Sequence, residues 1–167
     1  MESNSKSRRR GNPPLKDFLI NAKGKKMANY QYPATIQANG EGGFIASFRD
    51  VPEAITEAWD LEELKTNARD ALITAIDFYI EDGREFPSPS EFQTGDVAVD
   101  LPVSVTSKVL LLNTMVKLNV RPIDLARKMK IKPQEVTRIT DIRHATKIDT
   151  IQNAFKALGK ELVLELR

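Results

Sequence analysis

Few side chains in this sequence can do covalent chemistry. There is no cysteine and a single histidine, His144, against 23 Asp and Glu and 25 Lys and Arg. A Cys/His zinc site, a disulfide framework, a cysteine nucleophile and a c-type haem are therefore excluded. Any active site would have to be built from carboxylates, because a lone His has no partner with which to move protons. Side chains suited to binding are more numerous. Gln134, Glu135, Thr137 and Arg138 are types that hydrogen-bond base edges, and Lys132, Arg143 and Lys147 are types that pair with phosphates. His144 stands beside Arg143 as a further phosphate contact or an ordinary exposed residue.

The charges are segregated along the chain. Residues 1–26 hold 8 Lys/Arg and 2 Asp/Glu, residues 27–103 hold 4 and 15, and residues 104–167 hold 13 and 6. An acidic block suits a basic protein partner and a basic block suits nucleic acid; the plainer alternative is a solvated, solubilising surface. The 167 residues allow one ordinary domain or two small ones, and 41% apolar content is enough to bury a core. No run approaches the roughly 20 apolar residues of a membrane span. The N-terminus lacks the apolar centre of a signal peptide. A soluble, cytoplasmic protein is expected, without membrane contact.

The elements that must hold these residues follow from periodicity. Residues 1–26 are too polar and charged to offset their ordering entropy and are expected to form a disordered basic leader. From Tyr30, strict alternation puts Tyr30, Tyr32, Ala34, Ile36 and Ala38 on one face of a strand. Pro33 cannot donate to a ladder, which favours an edge position or an outward-facing amide. Asn39-Gly40-Glu41-Gly42 supplies a turn, and Phe44, Ala46 and Phe48 resume the alternation, so the two strands make a hairpin. A short third strand runs from Ile55 to Trp59. Asp60-Leu61-Glu62-Glu63 caps a helix whose face carries Leu61, Leu64, Ala68, Ala71, Leu72, Ala75 and Tyr79, with Gly83 as its stop. After Pro87-Ser88-Pro89, Val97, Val99 and Leu101 form a further strand. Residues 27–101 thus read β-β-β-α-β, and a second domain, 102–167, begins near Pro102.

That second domain reads as short helices. One spans Ser104 to Leu118. Pro122 and Pro133, favoured first residues of a helix, each open one of about two turns, the outline of a helix-turn-helix. Ile123, Leu125, Ala126, Met129, Ile131, Val136 and Ile139 are its expected core. A last helix opens at Thr146 and closes at Gly159. Beyond it, Leu162, Leu164 and Leu166 alternate with Glu161, Val163 and Glu165 as a strand too short to stand alone. Pairing of that strand with another chain predicts a homodimer or higher oligomer.

The stretch Leu125-Ala126-Arg127-Lys128-Met129-Lys130-Ile131-Lys132-Pro133-Gln134-Glu135-Val136-Thr137-Arg138-Ile139 resembles the Cro/repressor type of helix-turn-helix. Lys130 departs from that pattern, standing where Gly usually makes the turn. Tyr32-Pro33-Ala34-Thr35-Ile36, Phe48-Arg49-Asp50-Val51-Pro52-Glu53-Ala54, Ala71-Leu72-Ile73-Thr74-Ala75, Pro87-Ser88-Pro89, Ser107 to Asn113 and His144 to Asp149 resemble the HicB antitoxins of HicAB toxin-antitoxin systems, over about residues 30–167. The resemblance implies a partly ribonuclease H-like N-terminal domain that occludes HicA, a small basic mRNA endonuclease. It further implies a C-terminal domain that represses the shared operon. In the acidic block, Asp50, Glu53, Glu57 and Trp59 are then candidate toxin contacts, although Trp59 equally suits ordinary packing. The competing reading is a stand-alone helix-turn-helix regulator whose first domain senses a ligand or mediates assembly.

A ribonuclease H-like fold raises the question of catalysis. Two-metal nucleases need several carboxylates converging on Mg²⁺ ions about 4 Å apart, one of them within the first strand. The run Tyr30 to Ala38 carries no acid, and Asp50, Glu53 and Glu57 sit at or after strand ends. No enzymatic activity, metal or cofactor is expected.

Overall fold

The computed structural model describes residues 30–164, so the basic leader and the last three residues lie outside the described part. The protein is α+β. Its elements run β1 (Gln31–Ala38), β2 (Phe44–Phe48), β3 (Ile55–Ala58), α1 (Leu61–Glu81), β4 (Val97–Asp100), α2 (Val103–Lys117), α3 (Pro122–Met129), α4 (Pro133–Thr140) and α5 (Ile148–Ala157).

The four strands form one antiparallel sheet in the order β3-β2-β1-β4. β1 is therefore an interior strand, against the edge position that Pro33 suggested. The register explains how it tolerates the proline: Ala34↔Phe48 is the terminal pair with β2, so Pro33 falls one residue beyond that ladder while lying opposite Ala98 of β4. The hairpin closes on Asn39, whose Oδ1 accepts from the Glu41 and Gly43 amides at 2.9 Å each, with Gly40 and Gly42 at positive φ.

α1 covers one face of this sheet. It starts where expected, with the Asp60 carboxylate accepting from the Glu62 and Glu63 amides at 3.0 and 2.8 Å. Leu64, Ala68, Leu72, Ala75, Ile76 and Tyr79 are buried against Tyr32, Ala34, Ala46, Phe48 and Val99. Leu61, expected on this face, is 46% exposed. It sits in the first turn, beyond the reach of the sheet.

α2 belongs to two cores at once. Val105 and Val109 complete the sheet core, whereas Leu111 and Met115, a turn away on another face, join Leu125, Ala126, Val136, Ile139, Ile151, Ala154 and Phe155 in a second core formed by α2 to α5. Ile142, just after α4, packs back into the first core. Of the residues expected between α3 and α4, Ile123 is exposed instead. Met129 and Ile131 are only partly buried. Ile123 lies in the first turn of α3, where the helix has not yet reached its neighbours.

Four of the five described helices end alike. After α1, α2, α3 and α5 the residues Gly83, Asn119, Lys130 and Gly159 take positive φ, and the following amide bonds back to the last turn: Arg84 to Tyr79, Val120 to Met115, Ile131 to Ala126, Lys160 to Phe155, all at 2.8–3.1 Å. Lys130, in the left-handed region at φ 58°, ψ 41°, thus makes the turn that glycine makes elsewhere. α4 ends differently: Asp141 is extended.

Polar groups tie the two cores together. The Asn113 side chain, buried in α2, accepts from the Phe86 amide and donates to the Phe86 carbonyl, both at 2.8 Å, imitating a rung of β-ladder. Lys108, one turn earlier and 1% exposed, reaches the end of α4. Arg143 pairs with Asp77 of α1 at 2.5 Å.

Candidate functional site

The acidic block and the basic block treat their charges differently. Asp50 accepts from the Ser90 amide at 2.9 Å and the Ser90 hydroxyl at 3.1 Å, and so pins the segment between α1 and β4. Arg49 holds the same segment by binding the Asp96 carboxylate, the Ser90 hydroxyl and the Glu91 carbonyl. Glu53 accepts from the Tyr79 hydroxyl at 2.8 Å, and Arg84 stacks over the Tyr79 ring, 4.3 Å from its centroid. Burial, reinforced by the Glu53 carboxylate, raises the Tyr79 hydroxyl above the usual tyrosine range. Tyr32 is raised further, first by burial and then by Tyr30 and Asp50. It donates to the Pro87 carbonyl at 2.7 Å.

Asp50 and Glu53 are therefore hydrogen-bonded within the fold, Glu53 while still exposed, and Glu57 and Trp59 face outward. β3 is the edge strand. On its open face Ile55, Glu57 and Trp59 alternate, with Ile55 63% and Trp59 67% exposed, and Ile45 of β2 adjoins them. Trp59 lies across the hairpin at Gly43, where a Cβ would meet the Ala58 carbonyl at 2.8 Å and the indole at 3.4 Å. The sequence left Trp59 between anchor and packing; in the structure it is exposed and rests against the hairpin at Gly43. An apolar strand edge bearing one acid is suited to docking another protein.

In the second core, Lys132, Gln134, Glu135, Thr137, Arg138, Arg143 and Lys147 are all exposed. Pro133 opens α4, and Glu135 accepts from the Lys132 amide at 3.0 Å, so the outward face of this helix starts at Gln134. Glu135, Arg138, His144 and Lys147 come together, with Lys128 and Lys156, around an open groove of about 730 Å³ between α3, α4 and α5. Lys132, Gln134 and Thr137 lie outside that groove, Lys132 and Gln134 at or near the N-terminal end of α4. Arg143 is apart from both, turned to Asp77. α3 is capped by Asp124, whose carboxyl is lowered from the usual range chiefly by its hydrogen bond from Arg121.

Lys108 is the residue that sequence reasoning missed. Its ammonium donates to the carbonyls of Asp141 at 2.5 Å, Arg138 at 3.5 Å and His144. Burial pushes it below the usual lysine range, opposed by the Asp141 carboxylate. The available signal was its place in the run Val105-Thr106-Ser107-Lys108-Val109, where helical spacing puts position 108 between two buried faces.

An exposed apolar strand edge and a basic surface around α3, α4 and α5 on one small chain, with the buried polar groups engaged in holding the fold, suit a binding protein. Residues 31–110 match the family model described as the HicB-like antitoxin of bacterial toxin-antitoxin systems. Antitoxin HicB of Escherichia coli K12 is 46% identical over 134 residues, 80% of this chain and 97% of that protein. Antitoxin HicB 1 of Photorhabdus laumondii is 46% identical over 138 residues, 83% and 88% respectively. Antitoxin HicB of Pseudomonas fluorescens is 31% identical over 126 residues, 75% and 86%. The chain belongs to the HicB antitoxin family. It is accordingly a non-enzymatic protein of a toxin-antitoxin system, and the family implies a toxin partner. Among the described residues no helix is long and apolar enough to cross a membrane.

Proposed function

We propose that this antitoxin occludes a HicA-type mRNA endonuclease with the β3 side of its sheet and represses its own operon through α3 and α4, acting in the cytoplasm as a dimer or higher oligomer. In this reading residues 27–101 form the partly ribonuclease H-like toxin-binding domain. Residues 102–167 form a helix-turn-helix DNA-binding and oligomerisation domain, in which α4 is the recognition helix. The observation that carries it is the division of exposed groups. Lys132, Arg138 and Lys147 form no ion pair among the described residues, while the sheet edge exposes Ile55 and Trp59. Gln134 and Arg138 suit bidentate contacts to adenine and guanine, and Lys132 and Lys147 suit phosphates. Glu135 and Thr137 adjoin the same base edges. Arg143 enters the phosphate set only by leaving Asp77.

Co-expression with the neighbouring reading frame tests the first half. A short basic protein that arrests growth alone and is harmless with this chain is expected. Without such a neighbour, the stand-alone regulator becomes the better reading. Gel-shift titration of the promoter fragment tests the second half. A palindrome with half-sites about 34 to 36 Å apart, or a multiple of it, is expected for a dimer. Truncation after Gly159 is expected to lower the mass measured by light scattering, because Leu162 to Leu166 supply the pairing strand. Residues 160–164 lie outside any helix or strand of the chain itself, with Val163 and Leu164 exposed.

A further inference from the structure

α4 is the exception among the described helices: of these it alone lacks the left-handed cap that closes α1, α2, α3 and α5. The last carbonyls of a helix need donors from somewhere. Here the Thr140 hydroxyl serves Val136 at 3.0 Å. The Thr146 hydroxyl serves Arg138 at 3.4 Å. The Asp141 amide serves Thr137 at 3.0 Å, and a further donor is the Lys108 ammonium, arriving from α2, with its three protons matched to the three carbonyls of Arg138, Asp141 and His144. Those carbonyls are spread over seven residues of chain, from the last turn of α4 through the loop that leads to Lys147. A single buried cation therefore links the last turn of α4 to the loop that leaves it. The negative end of the helix dipole favours a cation at this position.

We propose that Lys108 is a positioning residue for the DNA-reading surface: it takes the place of a cap on α4 and fixes Arg138 relative to Lys147 without touching DNA itself. The inference rests on the DNA-binding reading above. It makes α2 the common support of both halves, since the same helix carries Val105 and Val109 into the sheet core and Asn113 onto Phe86. Loss of the ammonium would leave the Asp141 carbonyl to the His144 amide at 3.1 Å and the Arg138 and His144 carbonyls to the Thr146 hydroxyl at 3.4 Å each, and the more weakly held loop would depart along another path.

The absence of cysteine allows a test in which only the charge changes. Lys108→Cys is unfolded, alkylated either with bromoethylamine, which rebuilds a lysine-length ammonium, or with bromopropane, which gives a neutral chain of the same length, and refolded. The aminoethyl form is expected to match the unaltered protein. The propyl form is expected to bind the operator at least tenfold more weakly, to exchange the amides of residues 139–147 at least tenfold faster, and to neutralise the toxin unchanged. Equal operator binding and exchange in the two forms would overturn the proposal. So would acceleration spread evenly over α3 and α5, the mark of a purely stabilising lysine. Should the propyl form fail to refold, Lys108→Gln, which keeps two donors without charge, gives the same comparison at smaller amplitude. Should the unaltered protein bind no promoter fragment, the DNA reading fails by itself, and local exchange at 139–147 still decides the cap.

Discussion

The two halves of this antitoxin have opposite charge and use it oppositely. In the sheet half some acids hold the structure together: Asp60 caps α1, Asp50 and Asp96 pin the segment before β4, and Glu53 binds Tyr79, while Glu41, Glu57, Glu63, Asp70, Glu81 and Asp100 are exposed. That half also exposes two apolar side chains at its sheet edge, Ile55 and Trp59. In the helical half Lys132, Arg138 and Lys147 stay exposed and unpaired among the described residues, while Lys108 is buried, Arg143 pairs with Asp77, Lys117 with Glu85, and Arg121 and Arg127 with Asp124. The acidic block is thus divided between acids that hold the fold and acids that face solvent. What matters is how many of those charges find partners within the fold.

The comparison can be broken most directly at the sheet edge. Ile55→Asp combined with Trp59→Ala should weaken toxin binding by at least about 2 kcal/mol, roughly thirtyfold, as measured by calorimetry. Thermal stability should change by less than about 0.5 kcal/mol, since both side chains are exposed. In the helical half, Arg138→Ala should cost about 1 to 3 kcal/mol on the operator and relax one position per half-site. Lys132→Ala and Lys147→Ala should weaken all sequences alike and reduce the salt slope by about one unit each. Arg143→Ala should do less to that slope than Lys147→Ala, because Asp77 already neutralises Arg143. Asp50→Ala sharpens the contrast. It should cost about 1 kcal/mol in denaturant melts through the lost Ser90 contacts, yet alter toxin affinity less than threefold. An acid that mainly recognised the toxin would reverse that pattern. The smallest effect is expected at the turn between α3 and α4. Lys130→Gly relieves a left-handed side chain but frees the unfolded chain, a net gain of about 0.5 kcal/mol.

Local chemistry made much of this legible. Alternation gave β1 and β2, the Asp60 cap and four-residue spacing gave α1, and prolines at first helical positions gave α3 and α4. What stayed hidden depends on contacts between residues distant in the chain. Pro33 sits inside the sheet because β2 ends one residue short of it. Arg143, a natural phosphate ligand by type, meets Asp77, 66 residues away. Asp50 is drawn to Ser90, 40 residues on. Lys108 reads as an ordinary charged residue of a helix until the end of α4 is brought against it. None of these pairings leaves a period in the sequence.

The segment between α1 and β4, residues 82–96, has almost no regular structure and would be the obvious place for a protease to enter. It is nonetheless moored along its length, to Asn113 at Phe86, to Tyr32 at Pro87, to Asp50 at Ser90 and to Arg49 at Asp96. Three of those moorings come from β1 and the end of β2 and the fourth from α2, so threading of the segment by a protease is expected to require opening of the sheet core. Cleavage there should then track global unfolding, slowing whenever a bound partner stabilises the folded chain. The lifetime of this antitoxin in the presence of proteases is in that sense set by its core, through a loop that looks exposed.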